Sequence, residues 1–330
     1  MLNIITGGAG FIGRELVAQL LAKHEKILVF DDLTYASRRE DLPSDSAQLE
    51  FVKLDICETV SLRSHIKDFL AKSPTEDVGV FHLAAESHVD RSIQSGVPFM
   101  RTNVLGTQSL LEAVAGFKIK KLVHVSTDEV YGSVLLGESD EESNLNPSSP
   151  YAASKAASDL VVKAFGHTHG LPYNITRCAN NYGGGQLPEK LIPRLVHKAI
   201  QGNPLPIYGD GSQIREWIHV SDHVAALLKV MSHGRATEIY NIGTSQRMKN
   251  LDIAKMIIEE SQSDSVIEFV DDRKGHDSRY ALNSQKIVKE LDWIPDTNNS
   301  LQKTVKQIAS HLRNNGVDSR FYTLEKLHDK

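Results

Sequence analysis

Short apolar runs alternate with longer segments of helical spacing through the first half of the chain. Leu2–Thr6 is a run of strand length that ends in glycines, and Phe11–Lys23 then places Phe11, Leu16, Leu20 and Leu21 at helical intervals. Ile27–Phe30 is the next run and ends in two aspartates. Further runs occupy Leu49–Leu54, Val78–Leu83, Leu122–Ser126 and Tyr173–Arg177, with helical stretches that include Ser61–Ala71, Phe99–Ala115 and Tyr151–His167. Short buried strands alternating with helices predict a parallel sheet covered on both faces. Crossover handedness leaves the doubly wound sheet as the leading topology.

After about Ala179 the texture changes. Gly183, Gly184 and Gly185 are consecutive, and Pro188, Pro193, Pro204 and Pro206 follow. This half reads as a smaller lobe carrying loops. One more apolar run, Glu238–Ile242, is expected to return to the main sheet. The expected fold class is α/β: a doubly wound parallel Rossmann-type sheet with a smaller C-terminal substrate-binding lobe. Residues 1–178, with a return near 216–243, form the expected cofactor-binding domain, and residues 179–330 the lobe. The polar tail after Arg313 is expected to be loosely attached.

Composition narrows the class. The 330 residues suit one large α/β unit or two joined domains, and 40% hydrophobic with 24% charged residues is a soluble globular profile. No apolar run approaches the roughly 20 residues of a membrane span. The start has no basic segment and no small-residue cleavage site, so a cytoplasmic protein is expected. Cys57 and Cys178 sit in apolar, strand-like surroundings and are read as buried free thiols. A net charge of −5 argues against nucleic acid as a partner. An anionic ligand would need local basic residues.

The candidate chemistry begins at Gly7, Gly10 and Gly13. They join the first strand to the first helix, where glycines permit a tight turn and let backbone N–H groups approach a pyrophosphate. Asp31 ends the second strand about 20 residues on, where a carboxylate holds ribose hydroxyls. Its charge would repel a 2′-phosphate, which favours NAD over NADP. Arg38 and Arg39 are read as surface residues.

Tyr151 and Lys155 form a YxxxK pair on one helix face, with Pro150 as a helix-start signal. An ammonium beside the phenol would lower its pKa, so that tyrosinate takes a proton from a substrate hydroxyl as hydride leaves. Ser126-Thr127-Asp128-Glu129 follows the end of a predicted strand. Alcohol oxidation needs no carboxylate pair there. Elimination of water does, because one group removes a carbon-bound proton and another protonates the leaving hydroxyl. His219 and His223, or His167 and His169, lack a carboxylate-and-histidine metal pattern, and no metal is expected. The acid run Glu138–Glu142 is read as a solvated loop.

TGGAGFIG, HLAAESHVDRS, HVSTDEVYG, SPYAASKAASD, RCANNYG, PEKLIP, IYGDGSQIREW and DRKGHDSRYA occur in that order. Together they resemble the dTDP-glucose 4,6-dehydratase family of extended short-chain dehydrogenases/reductases, from about Met1 to Gln307. The glycine loop and YxxxK are shared across those dehydrogenases, whereas the Asp-Glu pair, PEKLIP and GHDxRYA are more specific. The resemblance implies that Tyr151, Lys155 and Thr127 oxidise the sugar at C4. Glu129 then takes the C5 proton, Asp128 protonates the 6-hydroxyl, and hydride returns to C6. Glu189, Lys190 and Tyr280 match further active-site positions.

Implied NAD contacts are Gly7, Gly10, Phe11, Ile12, Gly13, Asp31, Thr34, Asp55, Ile56, Ala84, Ala85, Thr102, Tyr151, Lys155 and Asn181, with Asp55-Ile56 ending a strand near the adenine. Implied substrate contacts are Ser87, Thr127, Asn180, Lys190, Leu191, Pro206, Tyr208, Arg215, Asn250, Arg273 and His276. Arg215 suits a diphosphate by its planar fork of donors; the alternative is a surface arginine paired with Glu216. A homodimer is implied, with Phe99–Ala115 and Tyr151–His167 packing across the interface. Tyr182-Gly183-Gly184-Gly185 departs from the family's YGPY-like turn and makes a more flexible loop, and Lys274 stands where proline is common. The alternatives left open are UDP-glucose as substrate, a 4-epimerase, a decarboxylase, a 5,6-dehydratase, and a non-catalytic NAD-binding protein.

Overall fold

Successive residues of the central strands point to opposite faces, and the core divides accordingly. Ile5, Val29, Phe81 and Val123 pack with Leu16, Val17 and Leu20 of the helix Phe11–Ala22 and with Val224, Leu227 and Val230 of the helix Val220–His233. Their neighbours Ile4, Leu28, Val80 and Leu122 belong to a second core with residues of the helices Thr59–Ala71, Gly106–Val114 and Pro150–His169. The protein is described from a computed structural model, which covers residues 1–74 and 76–316. The tail expectation lies, past Gly316, outside the described residues.

The strands are β1 (Leu2–Thr6), β2 (Lys26–Asp31), β3 (Leu49–Lys53), β4 (Val78–His82), β5 (Ile119–Thr127), β6 (Tyr173–Cys178), β7 (Asn180–Tyr182), β8 (Leu205–Tyr208), β9 (Ile214–His219), β10 (Ile239–Ile242), β11 (Arg247–Lys249) and β12 (Ile267–Val270). Seven form one parallel sheet in the order β10-β6-β5-β4-β1-β2-β3, the doubly wound Rossmann-type arrangement that the periodicity predicts. The order reverses between β1 and β4, so a ligand crevice opens beyond their carboxyl ends.

Two elements differ from the sequence pattern. β5 starts at Ile119 because Lys121, polar in sequence, is buried with its Nζ donating to the Val230 carbonyl at 2.9 Å. The helix read over Phe99–Ala115 is interrupted: Met100–Leu105 is a π-helix, followed by the α-helix Gly106–Val114. The wider turn carries Asn103, whose amide accepts from Glu86 N at 2.8 Å and donates to Ser154 Oγ at 2.8 Å.

The smaller lobe has its own core. Tyr182, Leu195, Ile207, Trp217, Ile257 and Val305 cluster there, drawn partly from the helices Leu191–Ile200, Asn250–Glu260 and Leu301–Asn315. Strands β11, β9 and β7 form a three-stranded sheet, and β12 pairs with β8. Among the described residues no helix is long and apolar enough to cross a membrane.

Candidate active site

Close backbone packing builds the first wall of the site. Gly7 has φ 73°, and a Cβ there would lie 2.7 Å from Ala84 N, just past the end of β4. A Cβ on Gly13 would strike the Gly7 carbonyl oxygen. The Asp31 carboxylate ties this loop to the end of β2, accepting from Ala9 N at 2.9 Å, Leu33 N at 2.9 Å and Ser37 Oγ at 2.7 Å. Two carboxylate oxygens have about four lone-pair sites, so acceptor capacity remains for a ribose hydroxyl. Backbone N–H groups at a helix start and a carboxylate one strand away fit the pyrophosphate and ribose of a dinucleotide.

A cavity of about 620 Å³ opens at this switch point. It is lined by Gly7, Gly10, Phe11, Ile12, Gly13, Asp31, Thr34, Asp55, Ile56, Ala84, Ala85, Thr102, Tyr151, Lys155 and Asn181, every position expected to face a dinucleotide. Ser87, Thr127, Asp128, Glu129, Asn180, Lys190 and Leu191 line it as well. The sequence reading missed Asp32, Ser37, Arg101 and Gln186. Asp32 carried a signal, since it follows Asp31 directly. Arg101 carried none, because its guanidinium reaches the cavity rim through a 2.8 Å ion pair with Asp55.

Asp55 and Ile56 lie in the turn after β3, which ends at Lys53, rather than within the strand. Cys57 is likewise in that turn and only half-buried, because its N–H is drawn to Asp55 Oδ1 at 2.9 Å; Cys178 is buried in β6.

The second wall is chemical. Ser149 caps the helix Pro150–His169, its Oγ accepting from Ala152 N at 3.1 Å, with Pro150 in the first turn. This start points Tyr151 and Lys155, one turn apart, into the buried wall beside the end of β5. Burial pushes Lys155 down to about 8, against the pull of Asp159 one turn further on. The expected lowering of the Tyr151 phenol is not found. Burial and then the Glu129 carboxylate hold it well above its usual range, and a hydrogen bond with Thr127 only partly opposes them.

Asp128 and Glu129 follow β5 in one 3₁₀ turn but sit in different fields. Burial, then Glu129 and Glu216, push Asp128 well above the usual carboxylate range. Thr127 Oγ1 donates to its Oδ1 at 3.2 Å, and its Oδ2 has no hydrogen-bond partner among the described residues. Burial also raises Glu129, an effect that Arg273, Arg215 and Lys190 only partly oppose. Both neighbouring carboxyls are thus pushed toward holding a proton, Asp128 the further of the two because the cations that oppose burial face Glu129 more than Asp128.

The remaining expected residues lie outside the cavity lining. Tyr280, Arg215 and Arg273 act electrostatically on Glu129 or feel it. Arg215 is buried with its guanidinium 4.3 Å over the Tyr280 ring and donates to the Asp277 carbonyl at 2.8 Å. Glu216 pairs instead with Arg247 at 2.8 Å. Glu189 is buried beside His88 at 3.7 Å and Lys190 at 3.9 Å, and accepts from Tyr35 at 3.4 Å. Lys190 donates to the Ser87 carbonyl at 2.9 Å. Arg273 and Tyr208 both reach Asp90, at 3.3 and 3.4 Å. His276 bonds Asp272 at 2.6 Å, Asn250 N donates to the Gln213 carbonyl at 2.9 Å, and Pro206 sits in β8 opposite Glu268.

The acid run is not simply a solvated loop. Glu138 pairs with Arg247 at 2.9 Å, and half-buried Glu141 accepts from Asn241 N at 2.8 Å, because the chain after the 3₁₀ turn folds back beside β10 and β11. His223 Nδ1 meets Asn181 Oδ1 at 2.9 Å and His219 Nδ1 meets Ser221 Oγ at 2.7 Å. Among the described residues no group of three or more His, Cys, Asp or Glu is arranged for a metal ion.

A glycine-lined dinucleotide groove that meets a buried YxxxK pair defines an extended short-chain dehydrogenase/reductase. The chain belongs to the family described as GDP-mannose 4,6-dehydratase, which it matches over residues 4–308. It is 45% identical to the low-salt glycan biosynthesis protein Agl12 of Haloferax volcanii, over 89% of this chain and 93% of that one. It is 43% identical to a dTDP-glucose 4,6-dehydratase of Streptomyces niveus, over 88% and 87% of the two chains. Among solved structures it is similar to the dTDP-glucose 4,6-dehydratase of Streptomyces venezuelae with NAD and dTDP bound, with TM-score 0.89, 44% identity, and 96% and 98% coverage. The resemblance read from the motifs is borne out.

Proposed function

We propose that this protein is a hydro-lyase that dehydrates dTDP-glucose to its 4-keto-6-deoxy derivative with NAD as a resident cofactor. The observation that carries this reading is the carboxyl pair beside Tyr151 at the end of β5, buried Asp128 held protonated more firmly than half-buried Glu129. A 4-epimerase or decarboxylase has no use for a protonated carboxyl next to a carboxylate base. The similar proteins that are named or solved as dTDP-glucose 4,6-dehydratases support thymidine over uridine as the nucleoside.

NAD, which the glycine turn and Asp31 would hold, would supply a hydride acceptor for C4 and a hydride donor for C6. Tyr151 takes the proton of the 4-hydroxyl, with Thr127 on the same oxygen and the Lys155 ammonium stabilising the phenolate. The 4-ketone acidifies C5, and Glu129 removes that proton. Asp128 gives its proton to the departing 6-hydroxyl, which leaves as water. Glu129 hands its proton back to C5 as C6 is reduced, and solvent carries the Tyr151 proton back to Asp128.

Asn180, Lys190 and Ser87 are assigned to the sugar, Arg215 and Arg273 to the diphosphate, and Tyr208, Asn250 and His276 to the nucleoside side. Glu189 and Tyr280 support the pair. Residues 1–178 with the return near 216–243 are read as the cofactor-binding domain, and 179–330 as the nucleotide-sugar lobe. A cytoplasmic homodimer is the assembly we assign. Exposed Met100, Leu105 and Leu160 on the relevant helices support it.

Mass spectrometry of dTDP-glucose and UDP-glucose, incubated with the protein and no added reductant, tests the reading. Loss of one water from the thymidine compound without net oxidation is expected. An unchanged mass with NAD-loaded protein would overturn it.

A further inference from the structure

The Gly183–Gly185 loop stands out in the sequence as a departure, and the structure attaches it to the cofactor groove. Arg14, in the first turn of the helix Phe11–Ala22, donates to the Gly185 carbonyl. The same guanidinium pairs with Asp41 at 2.7 Å and lies 5.7 Å from the Phe11 ring centroid. Asp41 also accepts from Arg38 at 3.0 Å, and Arg38 N donates to the Ala9 carbonyl at 3.3 Å.

One side chain therefore ties together three rims of the dinucleotide groove. The first is the helix start, whose Gly10 and Phe11 line the cavity. The second is the segment after β2, which lines it through Thr34, Ala36 and Ser37 and then reaches Asp41. The third is the glycine loop, which continues into the lining residues Gln186 and Leu187.

Two further observations point the same way. A cation in the first turn of a helix faces the positive end of the macrodipole, so helix stability does not account for Arg14. Gly185 has φ 74°, and a Cβ there would collide with the Arg14 guanidinium. The loop is shaped around the arginine.

We propose that Arg14 is a positioning residue that straps the Gly183–Leu187 segment across the groove and so sets how long the cofactor stays bound. The inference rests on the reading of the groove as an NAD site. It matters for the proposed reaction because hydride removed from C4 must come back to C6. A cofactor that departs between those events leaves a 4-keto sugar with its 6-hydroxyl in place, or an eliminated product that is never reduced.

The test uses purified holoprotein with no sugar present. NAD dissociation is followed by displacement into excess labelled NAD. Arg14→Met and Gly185→Ala should each raise the dissociation rate roughly ten- to a hundredfold, the worth of one charge-assisted hydrogen bond. Their double variant should be no worse than the faster single one. With sugar nucleotide present, free NADH should leak during turnover. Wild-type dissociation rates in folded Arg14→Met and Gly185→Ala would overturn the proposal. If Arg14→Met does not fold, Gly185→Ala decides alone. Because the rate is read without substrate, failure of dehydration with normal NAD retention by the wild type counts against the functional reading and not against the strap.

Discussion

The two sides of the cavity are built by different means. On the cofactor side the contacts come from short segments that directly follow strands. Gly7 and Gly13 act through the space they leave, and Asp31 through backbone groups two and twenty-two residues away. On the side proposed for the sugar nucleotide, side chains from distant parts of the chain converge. Arg273 reaches back to Asp90, Lys190 to Ser87, and Tyr35 to Glu189. Backbone fixes the first region, so its specificity is coarse and shared by many dehydrogenases. Side-chain charge fixes the second, so there single substitutions select chemistry and substrate.

The largest effect should appear at the seam between the regions. Tyr151→Phe is expected to slow C4 oxidation by about 10³-fold, since it removes the proton acceptor. Stopped-flow absorbance of enzyme-bound NADH reads this directly; NADH formed at the ordinary rate would remove Tyr151 from the role. Glu129→Gln should cut turnover by about 10²-fold or more while leaving oxidation intact. NADH should then accumulate on the enzyme, and if it does not, the division between oxidation and elimination is wrong.

Asp31→Asn tests the opposite side. It should weaken NAD about ten- to a hundredfold by calorimetry, with the substrate constant for bound-NAD enzyme unchanged. Arg215→Lys should raise KM for the nucleotide sugar by about tenfold with little change in kcat, because a planar fork is lost and no reacting atom is touched. A fall in kcat instead would show that Arg215 acts through Glu129, whose acidity it helps to set.

The smallest effect is a pH slope. Lys155 sits at about 8, below the usual lysine value of 10.5. As pH rises through about 8 the ammonium is lost, and oxidation should slow by up to tenfold per unit. Over the same interval the unfolded chain still binds the proton that the folded protein has released, so this group's contribution to stability rises with pH. Activity falling while thermal stability holds or grows separates titration from unfolding.

The glycine turn and Asp31 were legible in the sequence because they stand at fixed offsets from strand ends, and the other cofactor-side positions came from the motif resemblance. The catalytic turn was legible for the same reason: Thr127, Asp128 and Glu129 terminate β5, and Tyr151 and Lys155 share a helix face. What escaped depends on folding the chain back on itself. Glu141 reads as one acid in an acidic run until Asn241 arrives beside it. Nothing in the sequence singles out Arg14, because its partner Gly185 lies 171 residues away. The acidity of Tyr151 was misjudged because burial of the phenol, and then the carboxylates beside it, are invisible in a YxxxK motif.

The π-helical turn Met100–Leu105 carries a constraint of another kind. It holds one residue more than an α-helical turn would, and Thr102 and Asn103 owe their inward aim to that surplus. Substituting an outward residue there leaves the geometry alone. Deleting one residue restores the regular helix and keeps its flanks in register, but it removes the widened turn that aims Thr102 and Asn103. Asn103 would then swing off Glu86 and Ser154, and Thr102 off the groove. At the outward positions of this turn the letters can change but the reading length cannot, and deletion scanning should find them far less tolerant than their exposure suggests.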